Sequence, residues 1–311
     1  MEKFRLIKNV SLYAALAVGG VFLFIGGPAL ESSRSSYHIW DMGHIILFAI
    51  LTYLLIKDLP FLDRQNFWTQ AIIILVITAV LGIITELIQV KLDRSPDIDD
   101  IGRNFIGSAI ALVFFARSRR KLPGFVLVLL QATVVLAFIR ESYPLGRSLL
   151  DEAIAKSQFP VLADFETPFE VDRWQEKWRI NIDDKVSRNG QHGLRVNLTP
   201  AKYSGVSFKY FPSDWHDYNY LKISIFNPDP DTLKIFCRIH DKNHNNMYSD
   251  RFNRAFKIIP GWNDLSIPLE QIRKSPRERE MDMYHLDLIG LFTVDLQQSR
   301  VLYFDYIYLT V

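Results

Sequence analysis

From Val10 to Ile139 the sequence is dominated by apolar runs that approach the length of about 20 residues a helix needs to cross a bilayer. They fall at Asn9–Leu30, Trp40–Leu59, Trp68–Val90, Asp100–Ala116 and Pro123–Ile139, which predicts about five transmembrane helices. The whole-chain averages, 49% hydrophobic and 23% charged, hide this pattern because the second half offsets the first. Lys3, Arg5 and Lys8 followed by an apolar run imitate a signal peptide. That run continues to Leu30 and lacks a small-x-small cleavage site, so it reads as an uncleaved first span. Gly19, Gly20, Gly26 and Gly27 within it permit close helix approach.

Basic residues between the runs set the orientation. Lys57 and Arg64 follow the second run, and Arg117, Arg119, Arg120 and Lys121 follow the fourth. Arg34, Lys91, Arg94 and Arg103 lie on the opposite side. The larger set, which includes the N-terminal cations, predicts a cytoplasmic N-terminus in a bacterial inner membrane. Five crossings then put the C-terminal half outside the cytoplasm. The fifth run decides this, and its interior polar residues are only Gln131 and Thr133.

Ionisable groups in spans are costly and mark function by default. Asp41 and His44 open the second run, and Glu86 and Gln89 close the third. Arg94, Asp97 and Asp99 lie in the next loop, and Asp100 and Asn104 open the fourth run. Spacings of three and four residues place each pair on one helix face, all near the external ends of their helices. Two readings stay open. One is an architectural network in which Arg94 or Arg103 neutralises Glu86, Asp97 or Asp100, with contacts worth about 0.6–2 kcal/mol each. The other is an outer-leaflet site, with Arg94 for phosphate, Gln89 and Asn104 for hydrogen bonds, and His44 and Glu86 as acid/base candidates.

The ordered set Asp41-Met-Gly-His44, Glu86-Leu-Ile-Gln89, Arg94-Ser-Pro-Asp97-Ile-Asp-Asp100 and Asn104-Phe-Ile-Gly107 resembles the VanZ-like membrane family over Val10–Ala116. It departs at Met42, where many members carry a basic residue. The resemblance implies a multi-span bundle, bacterial origin and an envelope role of the glycopeptide-resistance-associated kind. It implies no particular reaction.

Pro144 and Gly146 predict a helix break and a linker over residues 141–160. The linker carries a short amphipathic segment, Arg147–Lys156, expected to favour the membrane surface over packing against the next domain. This divides the chain into a bundle (1–140), a linker (141–160) and a β domain (161–311). In the last, short runs rich in β-branched and aromatic residues recur at Leu162–Glu166, Gly193–Leu198, Gly205–Tyr210, Tyr220–Asn227, Leu233–His240, Arg254–Ile259, Asn263–Pro268, Asp287–Val294 and Val301–Leu309. Asn189-Gly190, Asn227–Pro230 and Pro260-Gly261 supply turns. The fold class is therefore a helical membrane bundle followed by an all-β jelly-roll sandwich.

The opening Ala163–Glu166, the entry Gln191–Leu194, the turn Pro260–Asn263 and the closing Tyr303–Ile307 resemble galactose-binding-like jelly rolls used as carbohydrate-binding modules. The resemblance implies a candidate structural calcium at Glu166 and Asp305, with Asp164 as a further ligand, and no other cofactor. Oxygen ligands suit that ion. Glycan-binding candidates are Trp174, Trp178, Trp215, Tyr218 and Tyr248, whose rings would stack on sugars, with His240, Asp241 and Arg251 in a polar hairpin forming one wall. The plain alternative makes the rings core and the hairpin a solvated turn.

One cysteine, Cys237, excludes an intrachain disulfide and a zinc–thiolate cluster, and it reads as a buried small hydrophobe. A formal charge of +2 gives no reason to expect nucleic acid. No phosphate-binding loop, nucleophile elbow or paired metal motif is present. The expectation is a non-enzymatic envelope protein whose β domain engages cell-wall or surface polysaccharide, while the bundle meets lipid or a lipid-linked precursor. The alternatives are a membrane enzyme using His44 and Glu86 on a lipid substrate, and a scaffold whose β domain binds protein.

Overall fold

The computed structural model describes residues 2–25, 33–91 and 97–311. The chain divides into two compact units, Met1–Gly146 and Arg147–Val311. Arg94, Gly26 and Gly27 lie outside the described residues.

The first unit contains α1 (Glu2–Ile25), α2 (Arg34–Asp58), the single turn α3 (Pro60–Asp63), α4 (Phe67–Lys91), α5 (Ile98–Phe115) and the start of α6 (Gly124–Gln158). Ser33 caps α2 by accepting from Ser36 N–H. Asp97 caps α5 by accepting from Asp99 N–H, and Asp99 and Asp100 favour the positive end of the helix dipole. Among the described residues three helices, α2, α4 and α6, are long and apolar enough to cross a membrane, and α1 contributes the shorter apolar stretch Val10–Phe24.

Polarity in this unit is inverted. Ile72, Val76, Val80, Ile83 and Leu87 of α4 are exposed, as are Val128, Leu129 and Leu136 of α6. Gln70, Thr78, Glu86 and Gln89 of α4 are buried. In α5 the buried face runs Asp100, Asn104, Gly107, Ser108 and Ala111, one stripe at helical spacing. Gly107 is what brings α5 against α2, because a Cβ there would stand 2.2 Å from the Ile45 carbonyl oxygen. Ser108 bridges the neighbouring helices through Thr52 (3.0 Å) and Thr78 (2.7 Å).

The break expected at Pro144 and Gly146 is absent: α6 runs through both. The expected linker is instead the continuation of that helix. Its last turns pack into the β unit, with Ser148, Asp151 and Ala155 buried. The packed face is thus Ser148, Asp151 and Ala155, while Leu149 and Leu150 of the same segment stay exposed. Asp151 is the reason, because it forms a buried two-oxygen pair with Arg173 (2.7 and 3.0 Å). Arg173 also donates to the Leu162 carbonyl at 2.8 Å.

The second unit is a sandwich of two antiparallel sheets. The strands are β1 (Val161–Ala163), β2 (Ile180–Asp183), β3 (Gly193–Leu198), β4 (Ala201–Phe208), β5 (Tyr220–Asn227), β6 (Leu233–Asp241), β7 (Phe252–Ile258), β8 (Gly261–Pro268), β9 (Leu286–Leu296) and β10 (Arg300–Thr310), with a short helix α7 (Leu269–Arg273). One sheet has the order β2-β3-β10-β5-β8, with β1 also on β10, and the other β4-β9-β6-β7. Alternate residues of both sheets meet in one core, including Leu194, Val196, Ile223, Ile225, Ile239, Ile289, Leu291 and Phe304. Cys237 is fully buried there, and burial pushes its thiol up to about 12.

Candidate functional site

The outward face of the sheet β4-β9-β6-β7 carries a groove of about 620 Å³. Strand register builds it. Gly205, Phe292, Phe236 and Ala255 lie opposite one another in one cross-strand row, and Ser207, Gly290, Arg238 and Asn253 in the next. Gly205 cannot carry a side chain, because a Cβ would meet the Leu291 carbonyl oxygen at 2.3 Å. Gly290 has room for one, since a Cβ would meet only Arg238 and Leu288 at 3.6 Å, and its absence leaves the floor open. Phe236 and Phe292 stack at 5.7 Å, and Tyr203 meets Phe292 edge-on at 6.1 Å.

One wall is the segment Gln175–Arg179. Glu176 fastens it to β4 by accepting from Ser207 N–H (2.7 Å) and Ser207 Oγ (3.2 Å), while Gln175 N–H donates to the Ser207 carbonyl (2.9 Å). Trp178, on that wall, is 73% exposed and Tyr203 64%, so two ring faces stand open to solvent beside the groove. Arg179 lies over the Trp178 ring at 4.2 Å. On the opposite side Arg238 and Arg251 line the groove, and Arg251 lies over the exposed Tyr248 ring at 5.0 Å.

The hairpin expected as a wall connects β6 to β7 and is locked from within. Arg279 pairs with both Asp241 (2.5 and 2.8 Å) and Asp250 (2.7 and 3.0 Å). Hydrogen bonding from Arg279 holds the Asp250 carboxyl down at about 2. Asp241 is fully buried in this lock, so it supports the hairpin rather than offering a ligand contact. His240 is buried and stacked on His244 at 4.4 Å, and burial pushes its imidazole down to about 4.

Trp174 and Trp215 correct the sequence expectation. Both are fully buried, Trp174 stacked on Phe208 at 4.7 Å and Trp215 donating its indole N–H to the Pro212 carbonyl at 2.8 Å. Tyr218 packs against the core and meets Phe159 edge-on. Of the predicted glycan candidates, Trp178 and Arg251 line the groove and Tyr248 adjoins it. Sequence reasoning missed Tyr203, Phe292, Arg179 and Arg238. Alternation along β4, β6 and β9 puts Tyr203, Arg238 and Phe292 on outward positions, but nothing in the sequence paired those strands, and Arg179 lies in a short turn outside them.

Glu166 and Asp305 clasp one turn. Glu166 Oε1 accepts from Gln191 N–H and His192 N–H (2.8 and 2.9 Å), and Oε2 faces the His192 ring nitrogen at 3.3 Å. Asp305 Oδ2 accepts from Asn189 N–H (3.0 Å) and from Arg188 N–H, and Oδ1 from Tyr306 N–H (2.7 Å). Phe165 and Tyr306, their neighbours, hold positive φ of 61° and 46°. Asp164 accepts from Gln158 and Glu166 N–H instead of joining them. All four carboxylate oxygens of the clasp thus face nitrogen, a poor fit to calcium. Among the described residues no group of three or more His, Cys, Asp and Glu is arranged to hold a metal.

In the helical unit the predicted polar cluster assembles around His44 and Arg103. His44 Nδ1 lies 3.1 Å from Asn104 Oδ1, and Nε2 3.2 Å from Asp100 Oδ2. Arg103 reaches Asp100 (2.5 Å), Asp97 (3.3 Å), Glu141 (3.5 Å) and Asp41 (3.8 Å). Glu86 accepts from Asp97 N–H at 2.8 Å, and Gln89 donates to the Leu23 carbonyl at 3.0 Å. Glu141 joins them because α6 continues past Ile139, where the sequence predicts a linker.

No protein-family model matches the chain. No curated protein matches it either. Among solved structures, a family 11 carbohydrate-binding module from Clostridium thermocellum, in complex with a β-1,3-1,4-mixed-linked tetrasaccharide, is similar at 20% identity and a TM-score of 0.37, covering 48% of this chain and 94% of that one. An exo-β-agarase is similar at 16% identity and a TM-score of 0.40, over 48% of this chain and 24% of that one. A family 28 carbohydrate-binding module specific for non-crystalline cellulose matches at 11% identity and a TM-score of 0.34, over 49% of this chain and 94% of that one. These are likenesses of the β-sandwich fold. The chemistry of the groove rests on its own residues.

Proposed function

We propose that the β unit binds polysaccharide along the groove of the β4-β9-β6-β7 sheet, and that the helical unit anchors the chain in a lipid bilayer. The observation carrying the first part is the pairing of open Trp178 and Tyr203 ring faces with a glycine-floored groove edged by guanidinium groups. Sugar rings stack on such faces, and their hydroxyls accept from such donors. The second part is supported by the inverted polarity of the helices, with apolar side chains outward and hydroxyls, amides and acids inward. The loop cations favour a cytoplasmic N-terminus and an extracytoplasmic β unit in a bacterial inner membrane.

The full chain, reconstituted in lipid nanodiscs, tests this by retention on immobilised polysaccharides. Trp178→Ala and Tyr203→Ala are each expected to weaken retention about 2- to 12-fold, the equivalent of a stacking contact of about 0.5–1.5 kcal/mol. Full retention in both variants would remove the groove from the proposal.

A second reading concerns the helical unit. The buried His44–Asp100–Arg103 cluster is compatible with a VanZ-like outer-leaflet site for a lipid-linked precursor, or with catalysis through His44 and Glu86. In that unit Arg103 and Glu86 bind acids and backbone already present, which favours architecture over catalysis.

A further inference from the structure

The guanidinium groups of the groove lack the carboxylates that usually accompany them. Among the described residues, the enclosed Nε atoms of the half-exposed Arg238 and Arg251 have no hydrogen-bond partner, while Arg238 Nη2 lies 3.4 Å from His244 Nε2. Asn253 Oδ1, beside Arg238 in the same cross-strand row, is also unpartnered. The acids of the same hairpin, Asp241 and Asp250, are taken by Arg279. Glu176, the carboxylate lining the groove, is turned onto Ser207. Arg179 donates to the Ser204 hydroxyl and otherwise lies over Trp178. Burial, and after it the charge of Arg251, press Arg238 below the ordinary guanidinium range.

Two half-buried cations without a carboxylate partner carry a standing cost, and an incoming anion removes it. Building on the polysaccharide reading, we infer that the groove selects an anionic glycan, whose carboxylate, sulfate or phosphate group is clamped by Arg238 and Arg251 while neighbouring sugar rings lie on Trp178 and Tyr203. A neutral glycan would offer both guanidinium groups hydroxyls alone. An anion can accept from both arginines through charge-assisted bonds, in a geometry suited to planar guanidinium groups.

The test uses the full chain in nanodiscs of uncharged lipid and measures affinity for alginate, dextran sulfate, a poly(glycerol phosphate) polymer and neutral dextran and lichenan at 50 and 300 mM salt. The expected result is a preference of roughly tenfold or more for at least one anionic polymer over both neutral ones at low salt, falling as salt rises. Arg238→Gln and Arg251→Gln should each reduce the preference, and the double variant should bring it to within about threefold of neutral binding. Arg251→Lys, at the groove edge, keeps the charge and should retain part of the preference even if the Arg238 variants fold poorly, which their thermal melts would reveal. Equal binding of neutral and anionic polymers overturns this inference and leaves the polysaccharide reading standing. A preference unchanged in the folded variants assigns it to other surface charge and also overturns the inference. Binding to no polymer sinks the polysaccharide reading itself.

Discussion

Glu170 lies fully buried in the β unit. Its Oε2 accepts from Asp164 N–H and Phe165 N–H, both at 3.1 Å, and its Oε1 from Thr167 N–H at 3.4 Å and Thr167 Oγ1 at 3.3 Å. Arg173, 3.6 Å away, is already engaged by Asp151. Burial, against the pull of Arg173, raises the Glu170 carboxyl from its ordinary 4.5 to about 7. A carboxyl raised on folding binds protons more readily in the folded state. The stability it lends is complete below about pH 4.5 and is lost as pH rises through about 7. That difference corresponds to about 3 kcal/mol.

Glu170→Gln keeps one oxygen for Asp164 and Phe165 and can donate to the Thr167 hydroxyl. It loses only the long Thr167 N–H bond, a cost of about 1 kcal/mol. At pH 8 the variant should therefore be more stable than the parent by about 2 kcal/mol, which raises the melting temperature of a unit this size by about 4–8 °C. At pH 4 it should be slightly less stable. Tryptophan-emission melts read this directly, because Trp174 and Trp215 lie in the same core. A loss of 2 kcal/mol or more at pH 8 would refute the reasoning, since it would mean that Arg173 holds Glu170 ionised.

Arg173→Met strands Asp151 and the Leu162 carbonyl in the core and should cost about 3–5 kcal/mol, seen in the same melts. Gly190→Ala should destabilise the β unit by about 1–3 kcal/mol, because Gly190 sits at a φ of 71° and a Cβ there would stand 2.3 Å from Glu166 Oε1. Chelators should leave the melting temperature of the β unit unchanged, since Glu166 and Asp305 already face N–H donors; a fall reversed by calcium would contradict the clasp as described. His44→Ala should lower the heat tolerance of the detergent-solubilised chain by about 1–2 kcal/mol, measured as the monodisperse fraction remaining after heating.

The two-part architecture was legible because each half keeps one period. Long apolar runs mark the helices, and alternation marks strands such as Tyr220–Asn227 and Leu233–Asp241. β2 was missed because Ile180–Asp183 alternates over only four residues, too short a run to register as a strand. Pro144 misled because a proline costs a helix one hydrogen bond without ending it when buried side chains further on, here Asp151 and Ala155, hold the next turns. Trp174 and Trp178 are four residues apart with similar neighbours, yet one is core and the other open. Trp174 closes one short helical turn (Glu170–Arg173) and Trp178 lies inside the next (Lys177–Arg179), and these turns decide which way each ring faces. The groove was illegible for a simpler reason: Gly205 and Gly290 become neighbouring floor positions only once β4 pairs with β9.

Cys237 sits mid-strand in β6, wholly enclosed, and is the single sulfhydryl of the chain. An alkylating reagent can reach it only when the strands on either side, β7 and β9, come apart. Thiol labelling therefore clocks the opening of the very sheet that carries the groove. A glycan that braces that sheet would slow the label without any engineered probe.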